Sequence, residues 1–90
     1  MELPEVEKFV AEHRAGVLAR AIGSLEGASP DQLQGISHKI AGALTLYSFA
    51  AEGTRAKELS HWLKANPDAE AAEVAKRRDE LLELLRNALA

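Results

Sequence analysis

The chain has no cysteine, which excludes a disulfide framework, a thiolate metal site and a cysteine nucleophile, and removes any dependence on an oxidising compartment. Strand-favouring residues are also scarce, with one Trp, one Tyr and two Phe among 90 residues, so nothing in the chain reads as a β-strand. No apolar run reaches membrane-spanning length. Glu2 and Glu5 stand where an export signal carries positive charge, and the expectation is a cytoplasmic protein with no membrane segment. Basic residues do not predominate either. Eleven Lys and Arg against fourteen Asp and Glu leave a net charge of -3, which argues against nucleic acid as a partner, because phosphate-backbone binding draws on clustered cations.

Ala, Leu, Glu and Lys dominate instead, and at 47% apolar content a chain of this length supports one small core. We therefore expect an all-α protein, a single domain over residues 1–90. The first helix is expected to begin near Pro4 and run through Val6, Phe9, Val10, Val17, Leu18 and Ile22 towards Leu25, with Gly23 and Gly27 marking its end. Ser29 as N-cap, Pro30 at the first helical position and Asp31 in the first turn predict a second helix that continues to about Ser48. Gly53 and Thr54 compete as the start of a third helix, which Asn66 and Pro67 stop. Asp68 opens a fourth through Val74, Leu81, Leu82, Leu85 and Leu89. Short connections make the simplest arrangement an antiparallel up-and-down four-helix bundle.

Within the second helix the stretch GISHKIAGAL, Gly35 to Leu44, sets one histidine between two glycines. On a wheel with about 100° per residue, Leu33, Ile36, Ile40, Ala43, Leu44 and Tyr47 form an apolar stripe, and His38 falls nearly opposite it. His38 is thus expected to face solvent. Gln34, Gly35, Ala41, Gly42 and Thr45 are its neighbours on that outer face, all small or uncharged. Each interior glycine costs about 1 kcal/mol relative to alanine. The glycines either clear a low-relief surface on which a partner reaches the imidazole, or let a neighbouring helix pack closely.

The segment HKIAGALTLYSF, His38 to Phe49, resembles the signature of histidine-containing phosphotransfer (HPt) domains of multistep phosphorelays. His38, Ile40, Gly42 and Phe49 match it, and Lys39 with Ala41 resembles the subtype reading His, basic, Leu or Ile, Ala, Gly. Ser48 stands where the family often has glycine, Ser60 where a glutamate often follows an Ala-x-x-Leu pattern, and Ala41 where lysine is more common. The chain is also shorter than most members, which implies that an accessory N-terminal helix is missing. The resemblance implies an HPt-like bundle in which His38 reversibly accepts a phosphoryl group from a receiver-domain aspartate and relays it to another receiver in two-component signalling. Its implied partners are response-regulator receivers and a hybrid histidine kinase. It implies no cofactor of the protein's own, since magnesium would sit in the receiver. A monomer is expected.

The residues suit such chemistry, since a neutral imidazole is a good nucleophile near neutral pH. Lys39, about 100° from His38 around the axis, would offer charge to a phosphoryl oxygen or is an ordinary solvated lysine. Gln34 and Thr45 would donate hydrogen bonds to it or are plain polar surface. Lys39 also occupies the place where autophosphorylating histidine kinases usually carry an acidic proton acceptor, and no nucleotide-binding lobe exists, so neither autokinase nor ATPase activity is expected. His61 is crowded by Trp62 and Lys64 and reads as a surface histidine, and His13 as a half-buried packing residue. Asp79, Glu80 and Glu83 lie among basic residues and read as an ion-paired surface, not a metal site. Trp62 reads as core. Leu46 and Phe49 form an apolar docking rim or are buried against the helix connection. The rival function is a non-phosphorylated helical adaptor or inhibitor that binds a receiver or signalling kinase; a third is a helical dimerisation module.

Overall fold

A computed structural model of the chain describes residues 5–90, with side chains from residue 13 onward. Four helices follow one another: α1 Glu5–Glu26, α2 Leu33–Leu46, α3 Ala50–Ala65 and α4 Ala71–Leu89. The described residues contain no strand. Pro4 lies outside the described residues, as do the side chains of Val6, Phe9 and Val10. Each helix packs on its neighbour in the chain, and α4 returns to α1, which closes a four-helix bundle. Leu25, Leu33, Leu44 and Leu85 are fully buried at its centre. Each contributes about 2 kcal/mol by leaving water, enough to offset the cost of the glycines that α2 carries on its outside. Leu89 ends the α4 stripe at the surface, 43% exposed.

Helix boundaries differ from the sequence reading in ways that local hydrogen bonds explain. Ser29 does not cap α2 directly. Its carbonyl accepts from the Gln32 amide at 3.0 Å and its hydroxyl donates to Asp31 Oδ1 at 2.7 Å, closing a separate turn, so that the α-helical ladder begins with Ile36 N–H on the Gln32 carbonyl. The Ser29 hydroxyl, and then Asp31's own amide, hold the Asp31 carboxyl below its ordinary pKa. α2 stops at Leu46, two residues early. Ser48 adopts φ 67°, its amide donates to the Thr45 carbonyl at 3.2 Å and the Phe49 amide to Leu44 at 2.8 Å. This is a Schellman C-cap, and Leu44 and Phe49, the two residues at its ends, are both buried in the core. α3 therefore begins at Ala50, with Gly53 in its interior. Asp68 likewise sits in a turn closed by Ala69 N–H on Asn66 at 3.1 Å, and α4 starts from extended Glu70.

The buried face of α2 is rotated from the expected stripe by about 50°. Leu33, Ser37, Ile40, Ala41 and Leu44 are buried, while Ile36 and Tyr47 are half-buried and Ala43 is exposed. The cause is α3, which turns Gly53, Ala56 and Ser60 inward. These small residues let the two helices approach closely and draw Ser37 and Ala41 into the contact. A Cβ at Gly53 would stand 2.5 Å from Thr45 Oγ1 and 3.2 Å from the Ala41 carbonyl, so close packing depends on this glycine. Gly35 and Gly42 are different, since a Cβ on either would meet nothing within 4 Å.

Three arginines tie the elements together. Arg14 of α1 donates from Nε to the Tyr47 carbonyl at 3.0 Å and lies 4.5 Å over the Phe49 ring, which clamps the α2–α3 turn. Arg77 of α4 stacks 4.0 Å over Trp62 of α3, and Arg86 of α4 pairs with Glu26 at the end of α1 at 2.9 Å.

Candidate functional site

His38, Ala41, Gly42 and Thr45 recur along α2 at the spacing of one helix face, and together they line one side of a shallow concavity between α2 and α3. Gly53, Thr54 and Lys57 of α3 line the other side. His38 is exposed, as expected. With the core face rotated, it stands on the shoulder of α2 that borders α3, not directly opposite the core. Ala41 is the correction among its expected outer neighbours. It is 8% exposed, because Gly53 brings the α3 backbone up to it, and so it forms the floor of the concavity. Gly35, Gly42 and Thr45 are exposed. The open space at Gly35 and Gly42 removes the alternative in which either glycine admits a neighbouring helix.

Gln34 and Lys39 turn to other surfaces. The Gln34 side-chain amide donates to Ser60 Oγ at 3.0 Å, and that hydroxyl donates to the Gln34 carbonyl at 3.3 Å; the pair fastens α2 to α3 one turn below His38. Ser60 is 1% exposed, so this bond satisfies a group that burial would otherwise penalise. Lys39 lines a separate groove between α1 and α2, together with Arg20 and the partly covered Ile36 and Tyr47. Lys57 enters the His38 concavity from α3 and had no counterpart in the sequence reading.

Leu46 and Phe49 separate. Leu46 is 79% exposed near the C-terminus of α2, whereas Phe49 is buried at 9% under Arg14. His61 is exposed on α3 and His13 is half-buried on α1. Among the described residues no cluster of three or more His, Asp or Glu is arranged to hold a metal ion, and no helix is long and apolar enough to cross a membrane.

No protein-family model, curated protein or solved structure matches the chain. The site offers an exposed imidazole, open space beside it, two threonine hydroxyls and one ammonium group.

Proposed function

We propose that the protein is a cytoplasmic phosphotransfer module that carries a phosphoryl group on His38 between receiver-domain aspartates. The observation that carries this reading is the exposed imidazole beside Gly42, where even a methyl group would meet open space. A helix that keeps two costly glycines on its solvent face leaves room for a partner's rim to come within bonding distance of the ring. The His38 to Phe49 resemblance extends to the turn, since Ser48, where that signature often has glycine, holds a left-handed conformation.

The step needs little from this chain. A lone pair on a ring nitrogen of neutral His38 forms a bond to the phosphorus of an aspartyl phosphate. The phosphorus–oxygen bond to the aspartate breaks, and the carboxylate leaves with the electron pair. The other ring nitrogen keeps its proton, so the product is an N-phosphoryl imidazolium that can return the group by the reverse path. Positioning and charge neutralisation supply most of the rate in such transfers.

Incubation with a phosphorylated receiver should label the wild-type protein with acid-labile, alkali-stable phosphate. His38→Gln should abolish that label, and His61→Gln should leave it intact. Label that persists on the His38→Gln protein defeats the proposal. Receiver binding without any label favours the adaptor reading.

A further inference from the structure

We infer that Lys57, not Lys39, is the cation that neutralises the phosphoryl group at His38. The inference rests on the phosphotransfer reading and deepens it. Two contacts fix how α2 and α3 lie against each other. At one end Gly53 abuts Ala41 and Thr45, and at the other Ser60 bonds Gln34. Residue numbers rise along α3 as they fall along α2, so the pair is antiparallel. Lys57 lies midway between Gly53 and Ser60, as His38 lies between Ala41 and Gln34, which sets the two level across the helix pair. The shared concavity is the surface on which they meet.

Lys57 is exposed, and among the described residues no ion pair with an acidic side chain holds it, whereas its neighbours Arg55 and Glu58 engage each other at 3.8 Å. Its ammonium group, on a flexible four-carbon stem, is free to follow an incoming dianionic group. Thr45 and Thr54 place hydroxyl donors in the same concavity. Lys39, although adjacent to His38 in sequence, belongs to the α1–α2 groove with Arg20. In the transfer written above, the phosphoryl group carries negative charge spread over its three oxygens as it passes to the ring nitrogen, and a cation at their level lowers the barrier.

The test uses phosphoramidate, a phosphodonor with no receiver surface, on the full chain and its Lys57→Ala, Lys57→Arg and Lys39→Ala variants. The rate of phosphohistidine appearance is followed by phosphorus NMR, and circular dichroism melting checks that each variant folds. Lys57→Ala should slow labelling of His38 about two- to fivefold, the range open to a solvent-screened charge. Lys57→Arg should restore most of the rate, and Lys39→Ala should stay close to wild type. Added salt should slow the wild type towards the Lys57→Ala rate while changing that variant little, a response that a structural role for Lys57 would not produce. Labelling of Lys57→Ala at the wild-type rate, or a loss carried by Lys39→Ala instead, overturns the inference and leaves the phosphotransfer reading standing. A wild-type protein that neither phosphoramidate nor a phosphorylated receiver labels overturns both.

Discussion

At Ser48 the backbone takes φ 67°, a conformation that costs a residue with a Cβ about 1–2 kcal/mol and glycine almost nothing. The Schellman bonds from Ser48 and Phe49 hold it there. Ser48→Gly should therefore raise the unfolding free energy by about 0.5–1 kcal/mol, the native strain relieved less glycine's added freedom in the unfolded chain; urea denaturation measures it, and an unchanged or lower midpoint contradicts the strain. This position also shows what the sequence conveyed and what it did not. The resemblance expected glycine here. A serine, however, carries no local sign of a left-handed turn, so the periodicity ran the second helix through it. Exposure of His38 was legible because helical spacing alone decides on which side of an apolar stripe a residue lies.

Two glycines separate the demands on the elements. Gly42 faces open space and Gly53 faces Thr45 and the Ala41 carbonyl. Gly42→Ala should stabilise α2 by up to about 1 kcal/mol, whereas Gly53→Ala should destabilise the bundle by about 1–3 kcal/mol through overpacking of the α2–α3 contact. Denaturation of the two variants side by side checks the opposite signs. The sequence assigned these roles differently, with Gly53 as a helix start and close packing as one reading of Gly35 or Gly42. A glycine that breaks a helix and a glycine that admits a neighbouring helix look alike until the partner's position is known. The rotated core face has the same origin. Counting apolar residues weighted Ile36, Ala43 and Tyr47, but the side that packs best is the one where small residues face small residues, at Ser37, Ala41, Gly53 and Ser60.

Across the whole molecule, a few long side chains reinforce helices that already share one apolar core. Arg14 joins α1 to the α2–α3 turn through a hydrogen bond and a ring face at once. A lysine cannot supply the same planar contact, so Arg14→Lys should cost about 1 kcal/mol; a double-mutant cycle with Phe49→Leu in urea should assign part of that loss to the pair. Bundle class and helix number were legible from composition and periodicity. The concavity that His38 and Lys57 both line was not, because register between helices is absent from any single helix's pattern. A signal did exist: His38 lies ten residues before Ser48 and Lys57 nine after it, so a hairpin folded at Ser48 brings them level.

That short turn has a consequence for how the protein tolerates change. Every residue lining the His38 concavity lies between positions 38 and 57, and closing so short a span costs little chain entropy. Under the phosphotransfer proposal the reacting groups are thus contained in one helical hairpin, while α1 and α4 complete the core behind it and present far surfaces that can be rewritten with the concavity left in place.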